Sequence, residues 1–165
     1  MFLFIHLHHA ECGPHTALRN FNGSIMRNEA KRDMVLKIAF SYLGKPYIWG
    51  GDDFSGFDCS GFVIECLKSI GSLPRKGDWT AAALYHKFPI KPANGKAGDL
   101  VFWANTEGGR IIHVEICVND DLSIGASGGG STTKTEADAI RQNAFIKIRP
   151  MASRKYLRGF CNPYV

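Results

Sequence analysis

Two residues of this chain could do covalent chemistry together. Cys59 lies in "SGFDCSGFVIEC", residues 55–66, between two Ser-Gly pairs and directly ahead of an apolar stretch. A helix starting there would hold Cys59 in its first turn, where unpaired N–H groups and the partial positive end of the helix stabilise a thiolate and lower the thiol pKa. Asp58 precedes it as an N-cap candidate, and Gly56 and Gly61 leave little side-chain bulk around the sulfur. Taken alone, a cysteine at a helix start is as readily a small buried hydrophobe. Cys66, seven residues on, falls on the apolar face of the same helix and reads as core.

A cysteine nucleophile needs a base, which is usually distant in sequence. Of six histidines, His6, His8, His9 and His15 lie near the N-terminus, and His86 is expected to be exposed. His113 stands in "RIIHVEICV", where alternation puts His113, Glu115 and Cys117 on one face and Val114, Ile116 and Val118 on the other. A lone strand histidine is more often structural than catalytic. The cysteine at a helix N-terminus reverses that preference.

The elements that must position this pair follow from periodicity. From Asn28 to Leu43, Met34, Val35, Ile38, Ala39 and Tyr42 recur at helical spacing, and Gly44 marks the stop. "KPYIWGGDDFSGFD" reads as a loop, and "CSGFVIECLKSIG" as a second helix that buries Phe62, Val63, Cys66, Leu67 and Ile70. Residues 78–88 read as a short third helix ending before Pro89. After "KPANGKAGDL" the period changes, and "LVFWA", "IIHVEICV", "LSIGAS" and "FIKIRP" read as antiparallel strands. Helices followed by a sheet make an α+β fold. Residues 1–25 read as an arm or extension and 26–165 as one domain, with Met26 a candidate start of the folded unit.

The 165 residues, 45% hydrophobic and 21% charged, suit one domain with a substantial core and exclude a disordered or fibrous chain. Five cysteines are an odd number without disulfide-scaffold density, and all are expected to be free. A net charge of +5 favours anionic surroundings without choosing among nucleic acid, an anionic membrane surface and an acidic wall polymer. No apolar run approaches the roughly 20 residues of a membrane span, so no transmembrane segment is expected. "MFLFIHLHHA" lacks the basic region and cleavage site of a convincing signal peptide. His6, His8, His9, Cys12 and His15 have metal-like spacing but read as an incidental arm, so no metal is expected. "GASGGGSTT" lacks the lysine of a phosphate-binding loop and reads as a flexible loop beside the site. Among the tryptophans, Trp103 reads as core, Trp49 as a packed turn, and Trp79, with Tyr85 beside it, as the one substrate wall.

"GKPYIWGG", "FDCSGFV", "KAGDLVFW" and "HVEI", in this order, resemble the NlpC/P60 cysteine peptidases, a papain-like group that cleaves peptidoglycan stem peptides. The resemblance covers residues 28–150. It implies a circularly permuted papain-like fold with the nucleophile helix packed on a central antiparallel sheet. It also implies Cys59 as nucleophile, His113 as general base and Tyr47 on the oxyanion side, with Asp58 and Ser60 binding the peptide on the amino side of the cleaved bond. The implied reaction is hydrolysis of an amide bond, commonly between γ-D-glutamyl and a diamino acid, through a thioester acyl-enzyme with no cofactor. The implied partner is peptidoglycan or a muropeptide rather than nucleic acid, met in the periplasm or cell wall. Delivery by other machinery, such as a phage tail or secretion apparatus, would suit the weak export signal.

One position departs from the family pattern. A polar residue, often histidine, usually stands about twelve residues after the base to orient it, and here that position is Gly125. The family's usual glycine two residues after the base is here Glu115. If "NDD" turns the hairpin tightly, positions 115 and 125 face each other, and Glu115 fills the vacated space to hold His113. A solvent-facing glutamate is the plain alternative, and Ser127, in step with Gly125, is a weaker substitute. Two other functions stay open: an amidase or acyltransferase acting on another acyl substrate, and a catalytically silent binding or assembly module, for which the gap at Gly125 is the argument.

Overall fold

The computed structural model describes the backbone of residues 14–164 and the side chains of residues 27–164. Among the described residues four α-helices, α1 (Pro14–Ser41), α2 (Cys59–Ser69), α3 (Ala81–Lys87) and α4 (Glu136–Gln142), accompany seven strands. The short β1 (Asp52–Asp53) and β2 (Gly56–Phe57) form a hairpin just ahead of α2. The strands β3 (Leu100–Ala104), β4 (Ile111–Cys117), β5 (Leu122–Ser127), β6 (Phe145–Pro150) and β7 (Leu157–Cys161) form one antiparallel sheet in the order β6-β5-β4-β3-β7.

The four expected strands stand where alternation put them, and α2 and α3 match the second and third expected helices. α1 is longer than the expected Asn28–Leu43, and its backbone begins inside the stretch read as an arm. Within it Met34 is half exposed. Its place in the buried stripe is taken by Arg32, which with Val35, Ala39 and Tyr42 lies inside at helical spacing. The guanidinium is tolerated there because Nη1 sits 2.8 Å from Asp99 Oδ1 and donates to the Ala97 carbonyl at 2.9 Å, while the ring of Tyr164 lies beneath it. Asp99 is itself buried, so removing the arginine strands a carboxylate in the interior. Arg32→Met is expected to destabilise the fold by about 3–5 kcal/mol, measured by urea unfolding, and the loss should be recovered in part by Asp99→Asn on the same background.

Three elements escaped the periodicity. α4 is seven residues of mostly polar sequence, held by a capping box in which Thr135 and Asp138 each bond the other's backbone. β7 reads "LRGFC", and a glycine at φ 137 interrupts any alternation. The hairpin β1–β2 has only two residues a side. In each case local bonding or the neighbouring strand, rather than a hydrophobic period, makes the element.

The two faces of the sheet do different work. One, carrying Phe102, Val114, Ile116, Ile124 and Ala126, packs with Phe62, Val63, Cys66 and Leu67 of α2 in the main core. The other carries a smaller cluster of Val101, Trp103, Cys117 and Met151. On that face Trp103 lies opposite His113 and Val101 opposite Glu115.

Candidate active site

The start of α2 is fixed by Asp58. Its Oδ1 accepts from the Gly61 N–H at 2.8 Å and from Ser60 Oγ at 2.9 Å, and its Oδ2 from the Gly50 N–H at 3.2 Å, which ties the preceding loop to the helix end. The flanking glycines have a different purpose from the expected clearing of space round the sulfur. A Cβ on Gly61 would lie 2.2 Å from the Gly51 carbonyl, and one on Gly56 would lie 2.0 Å from the Ile48 side chain. They let the loop close down on the first turn.

Cys59 is therefore held at the helix N-terminus, but it is buried, its Sγ 3.9 Å from the Ile112 carbonyl. Burial pushes its thiol up to about 12, and the neighbouring Asp58 charge adds to the effect against the lowering influence of nearby N–H groups. The expected acidic thiol is thus overturned: loss of solvation outweighs the helix terminus. Cys66 is fully buried, as expected, and Cys59, Cys66, Cys117 and Cys161 are all free.

His113 Nε2 lies 2.8 Å from Glu115 Oε1, and Glu115 Oε2 accepts from Ser123 Oγ at 2.6 Å. Asn119 turns the hairpin tightly, its Oδ1 accepting the N–H groups of Asp121 and Leu122. The strands pair Ile116 with Ile124 and Cys117 with Ser123, and the same register continued sets Gly125 opposite Glu115. A Cβ on Gly125 would lie 2.4 Å from Glu115 Cγ. The glutamate occupies the room that a side chain at 125 would need, and the solvent-facing alternative is excluded because Glu115 is buried.

Electrostatically the chain is well matched. Burial would raise the Glu115 pKa, but its hydrogen bonds to His113 and Ser123 hold it below the ordinary value. Burial lowers the His113 pKa, and Glu115 opposes that shift without overcoming it. The resting state is an ionised glutamate, a neutral imidazole and a neutral thiol. Because an ionised carboxylate only accepts, Nε2 carries the ring proton and Nδ1 keeps the free lone pair.

Cys59 and His113 line one cavity of about 540 Å³, together with Tyr47, Asp58 and Ser60. Of the residues put forward from the sequence, these five line the cavity and Glu115 lies directly behind His113. Burial raises the Tyr47 phenol pKa, with Cys59 and Asp58 adding to the effect, so the hydroxyl stays a donor. Ser127 does not reach the histidine: its Oγ accepts from Arg149 Nη1 at 2.6 Å and from Arg154 Nη2 at 3.1 Å. The tryptophans are reversed. Trp49 is half exposed on the cavity wall, whereas Trp79 lies outside it, packed against the core. His86 is exposed. His6, His8, His9, Cys12 and the side chain of His15 lie outside the described residues.

Sequence reasoning missed Ser123, Arg110 and Arg154. Ser123 shares strand parity with Gly125 and was within reach of that argument. Arg154 comes from an irregular loop after β6, where no periodic signal exists.

The profile of the NlpC/P60 family matches residues 44–150. The chain belongs to the NlpC/P60 family. It is 37% identical over 143 residues to the murein DD-endopeptidase MepH of Escherichia coli, covering 79% of this chain and 51% of that protein. It is 38% identical over 97 residues to a γ-D-glutamyl-L-lysine dipeptidyl-peptidase of Bacillus subtilis, covering 57% of this chain and 31% of that one. The chain thus spans about half or less of the length of these relatives. An NlpC/P60 family protein from Bacillus cereus superposes with TM-score 0.64 at 26% identity, over 81% of this chain and 40% of the other. The NlpC/p60 domain of the peptidoglycan hydrolase SagA superposes with TM-score 0.58 at 28% identity, over 79% of this chain and 97% of that domain. The papain-like α+β architecture expected from the motifs is the one found. No helix among the described residues is long and apolar enough to cross a membrane.

Proposed function

We propose that this NlpC/P60 protein is a cysteine peptidase that hydrolyses amide bonds in peptidoglycan stem peptides, cutting between γ-D-glutamyl and a diamino acid. The observation that carries this reading is that Cys59 and His113 line one cavity, with the histidine backed by a buried hydrogen-bonded chain through Glu115 to Ser123. The names of the relatives, an endopeptidase of murein and a peptidase of the γ-D-glutamyl-L-lysine bond, support the substrate class.

In the proposed reaction His113 Nδ1 takes the Cys59 proton as the sulfur attacks the γ-carbonyl. Glu115, through Nε2, steadies the resulting imidazolium. Tyr47 donates toward the developing oxyanion. The C–N bond breaks as His113 returns its proton to the leaving amine, and the acyl group stays on sulfur as a thioester. Water, deprotonated by the same nitrogen, then releases the carboxylic acid and the thiol. Asp58 and Ser60 hold the peptide on the acyl side. Glu115 is a positioning residue: it touches the imidazole and not the substrate. Because the carboxylate occupies the room opposite Gly125, the silent-module reading loses its main support.

Incubation of purified muropeptides with the protein, followed by mass spectrometry, is expected to show new products ending in γ-D-glutamate and new free amines on the diamino acid. Unchanged muropeptide masses, or transfer of the acyl group to another acceptor, would overturn the reading.

A further inference from the structure

Arg154 is not explained by the reaction just described. It lines the reactive cavity with Cys59, His113 and Tyr47, half-buried, its guanidinium laid over the Trp103 ring at 5.6 Å with one donor given to Ser127. Ser127 takes a second donor from Arg149, so one neutral oxygen serves two cations. Among the described residues Arg154 forms no salt bridge. The nearby carboxylates are committed elsewhere. Both oxygens of Glu115 are taken by His113 and Ser123, and both of Asp58 by Gly61, Ser60 and Gly50. Arg110, exposed at the cavity rim, adds a further positive charge. A partly desolvated arginine with open N–H donors in a substrate cavity is complementary to an anion, and its planar fork suits a carboxylate.

Resting on the proposed γ-glutamyl reading, we infer that Arg154 binds the free α-carboxylate of the γ-linked glutamate and makes the protein select it over the amidated, isoglutaminyl form. A γ-linked glutamate keeps its α-carboxylate a short methylene arm from the carbonyl under attack. On the leaving side the diamino acid's own α-carboxyl is consumed in the next peptide bond wherever the stem continues. Arg154 lines the same cavity as the sulfur and Tyr47, where it can meet the acidic group that an unamidated acyl donor carries. Amidation exchanges a charged, two-oxygen acceptor for a neutral amide whose single carbonyl oxygen can meet only one arm of the fork while its NH2 opposes the other, so the guanidinium loses its counter-charge and half of its pairing.

Two matched tripeptides, L-Ala-γ-D-Glu-L-Lys and its α-carboxamide, test this by calorimetric titration into the full-length Cys59→Ala protein, which binds without turnover. The acid is expected to bind about 10- to 100-fold tighter. Arg154→Gln should bring that ratio near unity, and Arg154→Lys should keep only part of it, because the charge remains while the fork is lost. Thermal melts of both variants establish that they are folded, and the ligand pair makes the comparison within wild-type side chains as well. Equal affinities, no binding of either peptide, or a loss in Arg154→Gln shared equally by the two would overturn the inference. If the acid is preferred but wild type releases no lysine from either peptide, the peptidase reading fails and carboxylate recognition stands.

Discussion

Cys59→Ala is expected to lose at least about 10⁴-fold in kcat on muropeptides, and His113→Ala to lose as much, with the double variant no worse than either single one. The shared floor follows from the resting charge state. With its thiol pushed up to about 12 by burial, Cys59 rests protonated at neutral pH. The sulfur depends on a base at the moment of attack, and the neutral imidazole of His113 supplies it. A preformed thiolate–imidazolium pair would behave differently, since removing the histidine would leave some nucleophile in place.

Thiol alkylation reads the same difference without a substrate. Iodoacetamide should label Cys59 in preference to Cys66 because Cys59 borders the cavity and Cys66 is fully enclosed. The contrast is one of access, since burial raises both thiols. His113→Ala should slow labelling of Cys59 and leave Cys66 unchanged. A Cys59 labelling rate in His113→Ala equal to that of wild type would sink the general-base account.

How much of this was legible in the sequence depended on whether a residue's role lay in a period. Strand alternation placed His113 and Glu115 on one face, and the short "NDD" turn placed position 125 across from 115, so the moved carboxylate could be read once this spacing was set against the pattern that the family resemblance implies. Helical periodicity found α2 and its buried Cys66. It failed at Arg32, because a charge can occupy a core stripe when a distant residue, Asp99, neutralises it. Acidity at Cys59 was misjudged because the helix terminus is visible in sequence while burial is not. Trp49 and Trp79 were exchanged because the cavity wall is set by how the 45–58 loop folds over α2. Arg154 had no signal, coming from a loop whose position only the tertiary structure defines.

Glu115→Gln is expected to lower kcat by about 10²- to 10⁴-fold, with little change in melting temperature, because an amide can present N–H to Nε2 and stabilise the wrong tautomer. The pH profile separates this from a packing defect. Burial holds the His113 pKa below its ordinary 6.5 and Glu115 opposes that shift, so the wild-type rate should rise with pH through a limb below 6.5. Removing the carboxylate charge takes away the opposing influence, and the limb should move to still lower pH. A sharper test uses the space itself. With Glu115 present, Gly125→His would force a Cβ to within 2.4 Å of the glutamate stem, so this variant should be both unstable and inactive. Glu115→Gly alone should be folded but slow, its imidazole unsupported and Ser123 without its acceptor. Combined, the two substitutions restore the arrangement usual in the NlpC/P60 family, and kcat is expected to recover to within about 10-fold of wild type, a coupling that only contacting positions show. Additive losses in the double variant, or an unshifted acid limb in Glu115→Gln, would mean that Glu115 fills the space opposite Gly125 without holding the histidine for catalysis.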